Sequence, residues 1–394
     1  MHSEAETDTR QRSSAPRRPS RILMVAGEAS GDLHGGDLAR QILSLEPDCE
    51  LFGIAGEQMR SAGVRPIVRM EDIHALGISE LASTIGRTVN AFRELRRTIR
   101  HERPDLVILI DYAEFNLILS GVARRAGAKV LYYITPQVWA WRRGRIGKIN
   151  ARADRLAVVL PFEKEIFAAA GDRVRFVGHP LLDRVKPVQD RKATLERHGF
   201  PPGARLLALL PGSRHAEVHY MLSEFVAAAR ILARDHGLTP VVALAPTLTS
   251  EQLARQGNVD LSGIRIIEGD TYSIIAASDL ALVASGTATL ETTLLECPMV
   301  ISYKVSALTY IVGRILITGV DFIGMPNILA GKKIVPELIQ SEMNARNLVR
   351  VAEPLLNPTM RAQTIGELRT LREKLGTPGA ARRVALTALE MVGT

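Results

Sequence analysis

Short apolar runs alternate with longer amphipathic stretches along most of the chain. Short runs rich in Val, Ile and Leu are typical of strands buried in a parallel sheet, whereas apolar positions three or four apart are typical of helices. In the first half of the chain the runs predict strands at residues 21–26, 50–54, 106–110, 130–134, 155–159 and 175–177. Strands that alternate with helices predict βαβ units and an α/β fold.

A charged segment, residues 184–203, follows these runs and ends with a Phe-Pro-Pro-Gly turn signal. Its composition predicts a linker. Beyond it, the runs predict strands at 206–210, 241–244, 264–267, 280–283 and 299–303. We therefore expect two Rossmann-like parallel-sheet domains facing a cleft, residues 21–183 and 204–359, with ligands beyond the carboxyl ends of the strands.

The amino-acid composition is consistent with this two-domain prediction and excludes some classes of protein. The chain has 394 residues, of which 46% are hydrophobic and 23% are charged, and its only cysteines are Cys49 and Cys297. Two cysteines so far apart suggest neither a disulfide framework nor a zinc site, and they fit a reducing compartment. Residues 1–20 are polar and lack the apolar core of a signal peptide, so we expect a disordered tail. The longest candidate for a membrane span, residues 308–323, is interrupted by charge.

The net charge of +8 is concentrated in two patches, residues 87–103 and 142–155. Solvated helix faces would explain either patch alone, but together they suggest an anionic partner. The first patch surrounds an apolar stripe at helical spacing between residues 78 and 99, which can pack on a sheet or lie on an anionic bilayer. The second lies beside Trp139 and Trp141, which fits nucleic acid, a membrane surface, a lipid phosphate or ordinary core packing.

A first candidate site follows the predicted strand at 206–210, where the chain reads Pro-Gly-Ser-Arg. Glycine allows backbone N–H groups to approach a ligand, and the start of the next helix favours an anion. Arg214 can bind two phosphate oxygens at once. We therefore predict a phosphate site at Gly212, Ser213 and Arg214; the alternative is a tight turn with a surface arginine.

A second candidate site repeats this order after the strand at 280–283. Ser285, Gly286 and Thr287 would place hydroxyl and N–H groups around a second anion position at a helix start. Glu291 lies in the first turns of that helix and can accept hydrogen bonds from a ribose diol. The alternative is that Ser285 and Thr287 only cap the helix.

A third candidate is Asp111, which follows the fully apolar run at 106–110. A carboxylate at the carboxyl end of a parallel strand can act as general base for a sugar hydroxyl. Glu114 is a second candidate for that role. The competing interpretation, an N-cap on the next helix, is equally supported by the sequence.

The Gly- and Ser-rich loop at residues 27–36 matches neither common nucleotide motif. The dinucleotide fingerprint needs a glycine two places after Gly27, and the P-loop needs a lysine after its second glycine; both are missing. The chain also contains no D-x-D pair and no H-E-x-x-H. We therefore predict no metal site and no cofactor.

Several of these segments resemble those of one family when they are taken in chain order. GEASGDLHGG, IDYAEFN, TPQVWAW, LPFEKE, VGHPLLD, LLPGSR, ASGTATLE and MPNILAGKKIVPELIQ are similar to the motifs of lipid-A-disaccharide synthases. The resemblance extends from about residue 21 to residue 340, and the blocks together are far more specific than any one of them.

The resemblance implies a GT-B fold in which C-terminal helices, residues 360–394, pack back on the first domain. It implies an inverting, metal-independent transfer from UDP-2,3-diacylglucosamine to 2,3-diacylglucosamine 1-phosphate (lipid X), giving the β-1,6-linked lipid A disaccharide 1-phosphate and UDP. Such enzymes are peripheral proteins on the cytoplasmic face of the inner membrane. The expected partners are thus these two substrates and an anionic membrane surface, not nucleic acid; a homodimer is left open.

The resemblance also assigns roles to individual residues. It implies that Asp111 is the essential base, that Asn327 lies near the nucleotide, and that residues 27–32 line the cleft and admit the sugar or the acceptor phosphate. The members of that loop singled out are Gly27, Glu28, Ser30, Gly31 and Asp32. Glu114 and His215 depart from the usual motif, so their roles stay open.

Two other functions remain as alternatives. An enzyme of the same architecture, a UDP-N-acetylglucosamine 2-epimerase or the muramyl-lipid N-acetylglucosaminyltransferase, would keep the same loops; the epimerase needs no surface for acyl chains. A basic membrane- or nucleic-acid-binding module without catalysis would leave three Gly- or Ser-rich loops at strand ends without a purpose.

Overall fold

The computed structural model describes residues 18–73, 81–140, 142–255, 259–307, 309–311 and 321–393. These residues form two sheets, whose paired strands run parallel. The first sheet contains β1 (Arg21–Ala26), β2 (Glu50–Ala55), β3 (Arg65–Arg69), β4 (Leu106–Ile110), β5 (Lys129–Tyr133), β6 (Arg155–Val158) and β7 (Val174–Phe176). The second contains β8 (Arg205–Leu210), β9 (Leu238–Ala243), β10 (Arg265–Ile267), β11 (Ser278–Ala284), β12 (Met299–Tyr303) and β13 (Glu337–Ile339).

Helices connect most of these strands. The α-helices of the described residues are Ala29–Leu45, Glu57–Ser61, Met70–Ile73, Leu81–Glu102, Ala113–Arg125, Ile146–Arg152, Glu163–Ile166, Leu181–Arg184, Arg191–Arg197, His215–His236, Ser250–Arg255, Thr271–Ala277, Thr287–Leu294, Met325–Ala330, Ala345–Ala352, Pro358–Lys374 and Ala380–Gly393. Short 3₁₀ helices lie at Arg143–Arg145, Ala168–Arg173, Gln340–Glu342 and Glu353–Leu356.

Each sheet has one position where the strand order reverses direction. The first sheet runs β3-β2-β1-β4-β5-β6-β7 and the second β10-β9-β8-β11-β12-β13. The reversals lie between β1 and β4 and between β8 and β11, and ligands of open α/β sheets bind beyond the strand ends at such points. The loops after these four strands are therefore where sites are expected.

The second sheet carries an apolar core on each face. Leu207 and Leu209 of β8 join one core with Phe225, whereas Leu206, Ala208 and Leu210 join the other. Side chains alternate between the faces of a strand, so a strand covered by helices on both sides reads as one apolar run. Complete burial of a side chain such as Phe225 contributes about 1.5–3 kcal/mol.

The strand predictions are confirmed except at two sheet edges. β3 and β13 were not predicted, and both are outermost strands. β3 is half-exposed, contains a proline and has an arginine at each end; β13 has only three residues. β3 and β13 lack the continuous apolar run on which the prediction depends, whereas the other two outermost strands, β7 and β10, were predicted.

The segment predicted as a linker is ordered and packs on the second sheet. Its helix, Arg191–Arg197, is capped by Asp190, whose carboxylate accepts from the N–H of Ala193 at 2.8 Å. Arg191 donates to Asp279 at 2.8 Å, and the buried ring of Phe200 belongs to the core of that sheet.

The chain divides into two compact units, one with residues up to 131 and from 385 onward, the other with residues 132–384. In the first unit Lys129 donates to the carbonyl of Met391 at 2.6 Å. In the second unit Arg369 of helix Pro358–Lys374 pairs with Glu296 at 2.8 Å. The domain boundaries at 183 and 204, and the docking of 360–394 as one block, stay predictions.

The helix expected around the apolar stripe is present as Leu81–Glu102. Leu95 and Ile99 are fully buried, as in a helix packed on a sheet, whereas Val89 is 41% exposed. Trp139 is also buried and meets Phe162 edge to face, which favours core packing for this tryptophan. Residues 1–17, 78–80, 308 and 312–320 and Trp141, about which predictions were made, lie outside the described residues.

Candidate active site

The loops after β1 and β4 lie at the same edge of the first sheet. Ala26 and Ile110 are partners in the parallel pairing of these two strands, so Gly27 and Asp111 leave the sheet side by side. Helix Ala29–Leu45 begins just after Glu28, and helix Ala113–Arg125 begins just after Tyr112. The structure thus brings together the predicted base and the predicted Gly- and Ser-rich loop.

Asp111 occupies an unusual backbone and electrostatic position. Its φ of 32° lies in the left-handed region, which side-chain-bearing residues adopt at a cost of about 1–3 kcal/mol. Burial and the nearby charge of Glu28 raise the pKa of its carboxyl to about 6, against a hydrogen bond from the Ser30 hydroxyl, which lowers it. The carboxyl is therefore a stronger base than an exposed aspartate and still largely ionised at neutral pH.

Gly27 is required by the ring of Tyr112. A Cβ on Gly27 would lie 2.1 Å from Cγ of Tyr112, far inside contact distance. The Tyr112 ring also stacks on Phe115, with centroids 4.9 Å apart. The missing side chain of Gly27 thus makes room for this ring, a different use from the close approach of a sugar that the resemblance suggested.

Asp32 has a structural task that sequence reasoning missed. Its buried carboxylate accepts from the N–H groups of Gly56, Gln58 and Met59 at 2.8, 2.8 and 3.1 Å. These donors belong to the start of helix Glu57–Ser61, so Asp32 ties the first turn of one helix to the start of another. Gly31 is buried, whereas Glu28 and Ser30 are the members of the loop that act on Asp111.

The loop after β8 is shaped by Glu217, which was not predicted. One carboxylate oxygen of Glu217 accepts from the N–H groups of Ser213 and Arg214, at 2.9 and 3.3 Å. Gly212, with φ of 123°, lies beneath this side chain, and a Cβ there would come within 2.5 Å of Cβ of Glu217. A glutamate three residues after the N-cap is the sequence signal that could have revealed this contact.

The Arg214 side chain extends from this loop into solvent. It is 75% exposed, and its guanidinium lies 3.9 Å from Glu217. At the predicted phosphate site, the guanidinium of Arg214 is therefore exposed and can reach a ligand. The backbone N–H groups of Ser213 and Arg214 already bind the Glu217 carboxylate.

The loop after β11 leaves the sheet beside the loop after β8, because Val283 pairs with Leu210. The Ser285 hydroxyl donates to the carbonyl of Ile323 at 3.1 Å. Gly286 and Thr287 are exposed at the start of helix Thr287–Leu294, where the positive end of a helix favours an anion. The capping role proposed as the alternative for Ser285 is not what its hydroxyl performs.

Glu291 is partly buried in the same helix and bonded to a tyrosine. The Tyr272 hydroxyl donates to its carboxylate at 2.9 Å. Burial raises the pKa of the Glu291 carboxyl, and the hydrogen bond from Tyr272 lowers it. Tyr272 follows β10 in a segment without any recognised motif, so sequence reasoning had no signal for it.

Asn327 is completely buried and organises its own loop. Its amide nitrogen donates to the carbonyl of Val335 at 2.9 Å and to Glu337 at 2.8 Å. Its oxygen accepts from the N–H groups of Ile334 and Val335, at 2.7 and 3.0 Å. The side chain thus closes the loop that precedes β13.

Glu163 is a further buried carboxyl that sequence reasoning did not single out. It accepts from the hydroxyl of Thr135 at 3.0 Å and from the N–H groups of Val159 and Leu160 at 3.2 and 3.0 Å. Burial raises its pKa to about 7 despite these donors. It links the TPQVWAW and LPFEKE segments, which therefore meet through this carboxyl.

No group of three or more His, Cys, Asp or Glu side chains is arranged to hold a metal ion within the ranges described above. Over the same ranges, none of the helices combines the length and apolar character needed to cross a bilayer.

Comparison with known sequences gives a consistent result over nearly the whole chain. The profile of the family described as "Lipid-A-disaccharide synthetase" matches residues 22–388. The lipid-A-disaccharide synthase of Syntrophus aciditrophicus strain SB is 45% identical over 379 residues, which cover 94% of this chain and 97% of that protein.

Solved structures show the fold alone. The calicheamicin glycosyltransferase CalG4 has a TM-score of 0.62 and 14% identity, over 96% of this chain and all of that one. The UDP-GlcNAc 2-epimerase of Neisseria meningitidis, bound to UDP-GlcNAc, has a TM-score of 0.63 and 12% identity, over 94% of this chain. The chain has the predicted GT-B fold of two parallel-sheet α/β domains.

Proposed function

The chain belongs to the lipid-A-disaccharide synthase family, and on that premise we propose how its residues carry out the reaction. It is an inverting glycosyltransferase of lipid A biosynthesis. It condenses UDP-2,3-diacylglucosamine with lipid X to form the lipid A disaccharide 1-phosphate and UDP. The epimerase alternative has only a shared fold in its favour, and no described feature favours the non-catalytic module.

Asp111 is the general base in this proposal. The acceptor 6-hydroxyl gives its proton to the Asp111 carboxylate while its oxygen forms a bond to the anomeric carbon. The bond from that carbon to UDP breaks on the opposite face, UDP keeps the electron pair, and the configuration inverts. The observation that carries the assignment is the partly buried carboxyl of Asp111, held on a left-handed backbone with its pKa raised to about 6.

Five residues of the loop after β1 would tune or support Asp111. Ser30 stabilises the ionised carboxylate through its hydroxyl, whereas Glu28 opposes ionisation through its charge. Gly27 admits the Tyr112 ring, which follows Asp111 directly. Asp32 ties the first turn of helix Ala29–Leu45 to helix Glu57–Ser61, and Gly31 is buried in that turn, so we propose supporting roles for both.

The second sheet would bind UDP. Arg214 is the group that compensates charge on the diphosphate as it leaves, together with the helix start at Ser285, Gly286 and Thr287. Glu291 accepts hydrogen bonds from the ribose. Gly212 and Ser213 give the loop its shape under Glu217, and Asn327 holds the neighbouring loop in place.

We further propose that the protein works on the anionic cytoplasmic face of the inner membrane. Val89 is 41% exposed on a helix whose arginines Arg87, Arg93 and Arg96 are exposed as well. Ile311, in the apolar run at 308–323, is 57% exposed. Apolar side chains beside exposed cations suit an anionic lipid surface.

A homodimer is a further proposal, testable by light scattering.

The decisive experiment is mass spectrometry of the products from UDP-2,3-diacylglucosamine and lipid X. We expect a tetraacyl disaccharide 1-phosphate together with UDP, and no disaccharide from the Asp111→Asn variant within the same time. An N-acetylmannosamine product from UDP-N-acetylglucosamine, with no disaccharide, would instead identify an epimerase.

A further inference from the structure

Tyr272 and Glu291 form a bonded pair at the edge of the second sheet. Tyr272 lies in the first turn of helix Thr271–Ala277, and Glu291 in the second turn of helix Thr287–Leu294. The phenol hydroxyl donates to Oε1 of Glu291 at 2.9 Å, and both side chains are partly buried. The contact is between side chains of two different helices.

The electrostatics of the pair fix which partner carries the proton. Burial, and then the charge of Glu291, raise the pKa of the Tyr272 hydroxyl, while Arg184 acts in the opposite direction. Burial raises the pKa of the Glu291 carboxyl, and the hydrogen bond from Tyr272 counteracts this by stabilising the ionised form. Tyr272 is the donor and Glu291 the acceptor, so Oε2 of the carboxylate stays open to other donors.

A carboxylate can accept more than one hydrogen bond, but the orientation of the carboxylate plane decides which donors it can reach. An ionised carboxylate has two oxygens and about four acceptor positions. A donor fixed on Oε1 restricts rotation of the carboxylate plane and leaves Oε2 to be presented in one direction. A ribose diol offers two hydroxyl donors and is recognised only if the acceptor is in place beforehand.

We propose that Tyr272 is a positioning residue that orients Glu291 toward the ribose hydroxyls of the nucleotide and thereby helps the site select ribonucleotides over nucleotides lacking these hydroxyls. The inference rests on the proposed role of Glu291 in binding the ribose of UDP. Tyr272 itself does not need to touch the nucleotide, so its effect passes through the carboxylate.

The test compares binding of two ligands that differ only at the ribose, UDP and 2′,3′-dideoxyuridine diphosphate, measured by calorimetry. Tyr272→Phe keeps the ring and removes only the hydroxyl. We expect its Kd for UDP to rise about tenfold, since a hydrogen bond to a charged group is involved, and its Kd for the dideoxy analogue to change less than about twofold. Tyr220→Phe, on helix His215–His236, is the matched control and should change neither Kd.

A second measurement asks whether Tyr272 acts through Glu291. In a Glu291→Gln background, Tyr272→Phe should have a much smaller effect on UDP binding than in the unchanged protein, because coupled residues are not additive. Additive losses would overturn the inference. So would an equal loss for UDP and the dideoxy analogue, because that pattern means general damage to the site.

The unchanged protein separates this inference from the proposed function. If it bound UDP and the dideoxy analogue equally well, the ribose role of Glu291 and the positioning role of Tyr272 would both be wrong. The disaccharide product would still be formed in that case, so the transferase reaction would stand. Unfolding temperatures of the variants, expected within about 2 °C of the unchanged protein, verify that folding is intact.

Discussion

The loops after β1 and β4 and the loops after β8 and β11 occupy equivalent positions in their sheets, yet their acidic residues are treated differently. Asp111 is partly buried on a left-handed backbone, with the Ser30 hydroxyl bonded to its carboxylate and the charge of Glu28 nearby. In the second sheet, Glu217 accepts two backbone N–H groups and Glu291 accepts a phenol hydroxyl. The first region keeps the Asp111 carboxylate basic and uses Asp32 for structure, whereas the second uses both of its carboxylates to hold loops and side chains in place.

This difference separates proton transfer from binding. A base needs a pKa near the working pH, which burial and a like charge provide. A binding loop needs a fixed shape before the ligand arrives, which internal hydrogen bonds provide. We therefore expect substitutions in the first region to affect turnover and those in the second to affect affinity.

The largest expected effect is that of Asp111→Asn. Removing the base should lower kcat by about 10²–10⁴-fold, because that is the usual contribution of general base catalysis. The Kd for UDP should stay within about twofold, since the change lies in the region assigned to proton transfer. Turnover by product mass spectrometry and binding by calorimetry measure the two quantities.

Glu114→Gln decides between the two candidate carboxyls of this segment. Glu114 is exposed three residues further on, so its loss should leave kcat within a few-fold. A normal rate for Asp111→Asn with a large loss for Glu114→Gln would transfer the role of base to Glu114.

The acid side of the pH–rate profile tests the same group. Asp111 must be ionised to accept a proton, so kcat/KM should fall below about pH 6, approaching tenfold per pH unit. Ser30→Ala removes a donor that lowers the pKa, so the acid limb should move to higher pH. Glu28→Gln removes a charge that raises it, so the limb should move to lower pH. If the acid limbs of both variants moved in the same direction, or did not move, the proposed influence of Ser30 and Glu28 on the pKa of Asp111 would be wrong.

Sequence patterns predicted the framework of the site well because buried parallel strands are recognisable as continuous apolar runs. Asp111 could be singled out since it directly follows β4, which is entirely apolar. The loop proposed to bind phosphate could be singled out for the same reason, because it directly follows β8. The edge strands β3 and β13 were missed because they are short or half-exposed and carry no such run.

Partners within the site could not be predicted, because they depend on where loops meet. Asp32 bonds to N–H groups of residues 56–59, and Tyr272 meets Glu291 across two helices. The pattern that predicts an element contains no information on such contacts. Asn327 shows the consequence, since a residue expected near the nucleotide has all its polar atoms engaged within its own loop.

Glu163 can be compared with Asp111, because burial also raises the pKa of its carboxyl, to about 7, in a region to which no chemistry is assigned. The folded state holds this proton to higher pH than the unfolded state, whose glutamates titrate near 4.5. Stability is therefore lost as the pH rises from about 4.5 to about 7, by up to about 3 kcal/mol. Glu163→Gln removes this titration, so the variant should gain stability relative to the unchanged protein as the pH rises across this window.

Urea unfolding at pH 5 and pH 8 measures this difference. Glu165→Gln, two residues further along and exposed, is the matched control and should follow the unchanged protein at both values. Parallel pH dependence of Glu163→Gln and the unchanged protein would show that the bonded donors keep Glu163 ionised in the folded state.

Arg214→Ala tests the binding region. Loss of a charged hydrogen bond to phosphate should weaken UDP binding by roughly 1.5–3 kcal/mol, or about 10- to 100-fold. Uridine, which has no phosphates, should bind with unchanged affinity. Arg234→Ala removes an exposed arginine of helix His215–His236 that pairs with Asp235, and it should alter neither value. Equal weakening of UDP and uridine would mean that Arg214 supports the loop rather than the diphosphate.

The smallest expected effect is that of chelation. The leaving diphosphate gathers negative charge, which the binding region would offset through the Arg214 guanidinium and the positive end of helix Thr287–Leu294. The chain has no D-x-D pair to hold a divalent ion beside the phosphates. EDTA should therefore change the initial rate by less than about twofold, whereas Arg214→Ala lowers it at limiting UDP-sugar. Magnesium that restored an EDTA-inactivated enzyme would show that a metal ion shares the work assigned here to Arg214.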